Sequence, residues 1–194
     1  MMDICRENFD EAHPWFGLSA RQFGTICIED QRFEEAITWS KMAIQNATDL
    51  FGRDSVQVAH SEIILAKAFE ATSQVELAIK CRINALAIFE RDTHMHSWEA
   101  RMTLIDLAKN CVALKSYDDA VSYYERAEGF LQDSSQECTS ETANVLEGLA
   151  SVYALKERHA DAIAYYSNAN ELRDQDSIEY AINSEHLSLS LIHI

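Results

Sequence analysis

A chain of 194 residues, 47% hydrophobic, with five glycines and one proline, has the composition of a folded, helix-rich protein and excludes a disordered or all-β one. Its 32 acidic and 16 basic residues give a net charge of −16. That charge repels phosphate backbones and anionic lipid surfaces, so neither nucleic acid nor a membrane is an expected partner, while basic proteins or peptides are permitted. No apolar run is long enough to span a bilayer, and no basic-then-apolar leader opens the chain.

In chain order, Phe33-Glu34-Glu35-Ala36-Ile37 is the first of four stretches of one shape. It is followed by Val75-Glu76-Leu77-Ala78-Ile79, Tyr117-Asp118-Asp119-Ala120-Val121 and His159-Ala160-Asp161-Ala162-Ile163. The alanines Ala36, Ala78, Ala120 and Ala162 stand 42 residues apart at every step. Ala43, Ala85, Ala127 and Ala169 keep the same step. So do Gly24, Ala66, Ala108 and Ala150, each preceded by a large apolar residue: Phe23, Leu65, Leu107 or Leu149. Cys27, Phe69, Cys111 and Tyr153 complete the pattern. Small residues at fixed places let two helices approach closely, and a large one a turn away fills the space beside them. Each period therefore predicts a helix A, a tight turn and a helix B. The A helices fall near 15–29, 55–71, 97–113 and 139–155; the B helices fall near 34–50, 76–91, 118–131 and 160–173. Acids open each B helix, where the helix dipole favours them, and Asp118-Asp119 is read as such a start.

The expected organisation is one array over 1–194. Residues 1–12 form the tail of a preceding helix B and its linker, because Met1 stands 42 positions before Ala43. Repeats follow at 13–54, 55–96, 97–138 and 139–176, and 177–194 is a partial helix A of a fifth, since Ser177 to Ala181 resembles Ser55 to Ala59. Within it, Leu189-Ser190-Leu191-Ile192-His193-Ile194 matches one reading frame of a transposon-end sequencing adaptor, so 189–194 is expected to be adaptor-derived and the chain truncated.

These repeats resemble the tetratricopeptide family. The small residue of helix A, the aromatic three later at Phe69 and Tyr153, and the two alanines of helix B carry the resemblance. The unit is longer than that family's usual span of about 34 residues. With His13-Pro14 entering the first A helix and Phe51-Gly52-Arg53-Asp54 between units, it is similar to the kinesin light chain type. The resemblance implies an all-α, right-handed superhelical solenoid of antiparallel helix hairpins. It also implies a protein-protein interaction scaffold that holds a partner peptide or helix in a concave groove lined by A helices. The alternative is a regulatory or targeting region of a larger enzyme whose catalytic domain lies outside these residues. No catalysis, cofactor, metal or small-molecule substrate is expected.

Counted along the repeat, the groove residues are Arg21 and Thr25; His60, Ile63 and Lys67; Met102, Ile105 and Lys109; Asn144, Glu147 and Ser151. Glu29, Glu70 and Glu147 offset Arg21, Lys67 and Lys109, which leaves a near-neutral, partly apolar surface suited to an extended or helical peptide. Chaperone-tail binders of the family clamp a terminal carboxylate with lysines and asparagines. Arg21, Thr25, His60 and Ile63 do not make that set. The asparagine ladder of kinesin light chains is replaced by Gln22, Ile64, Asp106 and Gly148, so the same acidic tryptophan peptides are not expected. His94 and His96 lack a third ligand and are read as solvated linker residues. Trp15, Trp39 and Trp98 are read as packing mass. The five cysteines, Cys5, Cys27, Cys81, Cys111 and Cys138, form no closely spaced pair and are read as reduced, mostly buried thiols of a cytoplasmic protein.

Overall fold

The computed structural model describes residues 13–132, 139–173, 182–183 and 185–186. Among them stand eight helices and no strand: α1 (Pro14–Glu29), α2 (Phe33–Phe51), α3 (Val56–Ala71), α4 (Val75–Phe89), α5 (Thr93–Ala113), α6 (Tyr117–Gln132), α7 (Thr139–Leu155) and α8 (His159–Glu171). The odd-numbered helices occupy the expected A segments and the even-numbered ones the B segments. The third A segment has a lead-in: a 3-10 turn at Glu90–Asp92 runs into a short helical stretch from Thr93, and beyond a kink at His96 the helix continues to Ala113, as expected from near 97. The chain bends at His96, whose φ of −125° is not helical. His96 thus stands at the junction between two helical stretches, as a linker residue would, but it is not freely solvated: its side chain is 20% exposed and 3.6 Å from Glu99. The side chain of His94, and all of Cys5, Cys138 and residues 187–194, lie outside the described residues.

The chain divides into two compact units, 1–103 and 104–194. In the first, α1 pairs with α2, α3 with α4, and α2 and α1 each pack on α3. Phe16, Cys27, Trp39, Leu65, Phe69 and Cys81 form one apolar cluster around Ala20, Ala36, Ala43, Ala66 and Ala78. In the second, α6 packs on α7 and α7 on α8. The rings of Tyr153 and Tyr165 stack there, 5.3 Å between centroids. Gly148 lets the Tyr124 ring lie against the α7 backbone, where any Cβ would collide with it.

The alanines explain why the helices approach so closely. Ala36, Ala43, Ala78, Ala85, Ala120, Ala127, Ala162 and Ala169 are all at most 1% exposed. Leu107 and Leu149 are fully buried beside the equally buried Ala108 and Ala150. The tryptophans divide differently from expectation. Trp39 is buried, but Trp15 and Trp98 are more than half exposed. Their helices turn Phe16 and Ala100 inward, and at 3.6 residues per turn a residue one or two positions away points elsewhere.

Each A-to-B turn closes in one way. The backbone N–H groups of Gln31 and Arg32 donate to the carbonyls of Ile28 and Cys27 at 3.0 and 2.7 Å. Ser73 and Gln74, Lys115 and Ser116, and Glu157 and Arg158 repeat the pattern. This is the Schellman closure, which needs a left-handed residue just past the helix. Gln31, Ser73, Lys115 and Glu157 supply it, with φ between 58° and 61°. They too are 42 apart. A residue with a Cβ is strained in that region by about 1–2 kcal/mol, and glycine is not. Gln31→Gly, Ser73→Gly, Lys115→Gly and Glu157→Gly are each expected to stabilise the fold by about 1 kcal/mol. A rise in urea midpoint at constant slope checks this.

First-turn acids follow each closure: Glu34 and Glu35 in α2, Glu76 in α4, Asp118 and Asp119 in α6, and Asp161 in α8. Asp118 also pairs with Lys156, at the end of α7. That hydrogen bond holds its carboxyl below the usual range. α1 begins instead with Pro14 at its first position and the His13 ring accepting from the Trp15 N–H, the place where a missing N–H costs nothing.

Candidate functional site on the A-helix faces

In the first unit, α1 and α3 pack together and carry Arg21, Thr25, His60, Ile63 and Lys67. Thr25 and Lys67 are exposed; Arg21, His60 and Ile63 are half-buried, as is Met102 at the end of the unit. The Thr25 hydroxyl donates to the Arg21 carbonyl at 3.3 Å. The His60 ring meets Phe89 edge-on at 5.5 Å, and Phe89 in turn touches His96 at 5.8 Å. Burial pulls the His60 pKa down, and the charge of Arg21 adds to this against the opposing pull of Glu99.

That shift fixes a pH dependence. The folded pKa of His60 lies below the ordinary 6.5, so the folded state resists charging the ring. The stability this represents is complete above the unfolded value, and it is lost as pH falls through the lowered one. The urea midpoint is expected to fall between about pH 7 and pH 5, and His60→Gln, which cannot titrate, should flatten that decline.

Glu70, expected as a groove acid, has a different job. Arg82 on α4 is 1% exposed and donates from both terminal nitrogens to the Glu70 carboxylate, at 2.7 and 2.9 Å. The pair ties α3 to α4. Sequence reasoning missed Arg82, although a signal was present. The same register holds Ser40, Tyr124 and Tyr166, all buried, so a charge there requires a partner.

In the second unit, Lys109 is exposed, 3.9 Å from Asp106. Ile105 is buried and presents no surface. The three fourth-repeat residues are engaged by their own chain. The Arg173 guanidinium donates to Glu147 at 2.7 Å and to Asn144 at 2.5 Å. Ser151 hydrogen-bonds the Tyr166 hydroxyl at 3.0 Å. Asn183, 3% exposed, donates to Glu147 at 2.6 Å, and the His186 ring stacks on Tyr166 at 5.6 Å. Asn183 and His186 thus stand against Glu147 and Tyr166, while Asn144 and Ser151 stay exposed.

Cys27, Cys81 and Cys111 are free thiols that are buried, and burial pushes each pKa up, that of Cys81 to about 12. Such thiols stay protonated and unreactive. Among the described residues, no three His, Cys, Asp or Glu side chains gather as metal ligands, and no helix is long and apolar enough to cross a membrane.

No family model and no curated protein matches the sequence. Solved structures do. A Podospora anserina protein of kinesin light chain type with nearly identical TPR-like repeats superposes at a TM-score of 0.79 and 14% identity, over 93% of this chain and 88% of that one. BtubC (BKLC) from P. vanneervenii gives 0.77 and 17%, over 88% and 69%. The apo form of RapI gives 0.78 and 16%, over 97% of this chain but only 50% of RapI, so the chain spans half the length of that protein. With its closely packed hairpins, its alanine register and four identical turn closures, the chain has the all-α fold of tandem TPR-like helical repeats.

Proposed function

We propose that the chain is a protein-interaction scaffold that holds an extended or helical segment of a partner against the faces of its A helices. The observation that carries this is the contrast between the two sides of α3. Its inward face is closed by Ala59, Leu65, Ala66 and Phe69. Lys67 is exposed and Ile63 half-buried at its margin, and α1, which packs on α3, adds exposed Thr25 and half-buried Arg21, an apolar and cationic set in a chain of net charge −16. Local positive charge on an acidic protein steers the acidic part of a segment there, and half-exposed apolar groups supply contact area. The TPR-like fold supports a binding role, although a fold alone does not name a partner. The buried, protonated thiols suit a reducing compartment, and the cytoplasm is the proposed location.

Lys67 and Lys109 are the cations to test. The Lys67→Glu/Lys109→Glu variant should bind an acidic segment of a captured partner about tenfold more weakly, or worse, by calorimetry, since each reversal turns an attraction into a repulsion. Both side chains are exposed, so helicity and melting temperature should not move. Equal affinity for the variant sinks the groove assignment.

A further inference from the structure

Between α1, α2 and α3 of the first unit lies a cleft of about 270 Å³, lined on its polar side by Arg21, Asn46, Gln57 and Ser61 and on its apolar side by Leu18 and Phe51. It exists because the α2 residues at its floor, Ala43 and Ala47, are small and buried. The Ser61 hydroxyl donates its one hydrogen to the Gln57 carbonyl at 2.9 Å. Arg21 is therefore the strong donor facing the space.

Arg21 is in an unusual position for this chain. It is half-buried, and burial alone accounts for the lowering of its pKa from the ordinary value; no carboxylate among the described residues offsets it. Two other enclosed guanidiniums are paired with carboxylates. Arg82 has Glu70 at 2.7 Å, and Arg173 has Glu147 at 2.7 Å. A desolvated cation without a counter-charge is costly, and 32 acidic residues were on hand to neutralise it.

We propose that this cleft receives the side chain of a glutamate from the bound partner segment, its carboxylate on the Arg21 guanidinium and its methylene stem against Leu18 and Phe51. The inference rests on the groove reading and specifies one contact within it. The size fits: small-molecule sites run from about 300 to 1,000 Å³, and this space holds a single side chain. The chemistry selects a carboxylate over a phosphate. A dianion recruits several cations, whereas here Arg21 is a single cation among neutral polar and apolar lining residues. An internal side chain also suits a cleft flanked along α1 and α3 by the rest of the open surface.

The test uses blocked single residues, so that no other groove contact contributes. N-acetyl-glutamate N-methylamide, its glutamine counterpart and inorganic phosphate are titrated to high millimolar concentration into the whole chain. The Arg21 Nε–H resonance is followed by NMR. The glutamate compound should shift it saturably, the glutamine compound and phosphate at least several-fold more weakly, and Arg21→Gln should lose the binding while keeping its amide spectrum. A second measurement addresses the cost of the charge. Arg21→Met should raise the thermal midpoint, because it removes an uncompensated half-buried cation; a lowered midpoint overturns that premise. Phosphate binding as tightly as glutamate, glutamine binding equally, or binding that survives Arg21→Gln each overturns the proposal. No shift with any probe overturns the cleft assignment and leaves the groove itself to be judged on the Lys67/Lys109 variant.

Discussion

Glu70→Ala is expected to destabilise the protein by about 3 kcal/mol, near the lower end of what breaking a buried ion pair costs. The substitution leaves the Arg82 guanidinium in place, 1% exposed and inside the α3–α4 hairpin, and takes away the two charge-assisted hydrogen bonds it donates there. Solvent cannot replace them without opening the hairpin. The pair itself is a different matter. Its desolvation offsets much of its attraction, so an apolar pair of similar volume should serve nearly as well. Arg82→Met/Glu70→Leu is accordingly expected to lose much less than Glu70→Ala. Urea denaturation of the two variants, read at constant slope, checks this. If the double variant is the weaker one, the pair contributes more than a tied charge.

Ala85→Leu is expected to cost about 1–3 kcal/mol through overpacking. Ala85 has no exposed surface, and its register mates Ala43, Ala127 and Ala169 are equally enclosed. A leucine there must push the facing helix away or leave its preferred rotamer. In a chain of this length the loss corresponds to about 2–4 °C of melting temperature per kcal/mol. Ile83, two residues earlier on α4, is 45% exposed. Ile83→Leu provides the control, a substitution on the same helix with no effect on melting. An unchanged melting curve for Ala85→Leu would count against the hairpin register.

Both results depend on one turn of one helix, yet only the second was legible beforehand. Ala85 belongs to a pattern that recurs at a fixed step, and periodic small residues have a single physical meaning: close approach of two helices. Arg82 breaks a pattern. The register of Ser40, Tyr124 and Tyr166 hints that position 82 faces inward, but nothing in the sequence says that its partner is Glu70, twelve positions back on another helix. The turns show the same division. Their position was legible from the spacing, whereas the left-handed backbone at Gln31, Ser73, Lys115 and Glu157 was not, since none is glycine, the usual occupant.

The sequence alone determined which segments are helical, which pair in hairpins and which alanines are enclosed. All three follow from local periodicity, and the 42-residue step repeats the information four times. It also determined that acids outnumber bases two to one among the charged residues. Tertiary structure alone decided which side chains of an A helix remain available. Ile105 is buried, Glu70 is held by Arg82, and Asn144 and Glu147 are held by Arg173; Arg21 opens into a cleft. The reason is that a residue's partners come from neighbouring helices at long sequence distance. The helical period fixes the direction of a side chain, but what stands opposite is set only when the hairpins pack.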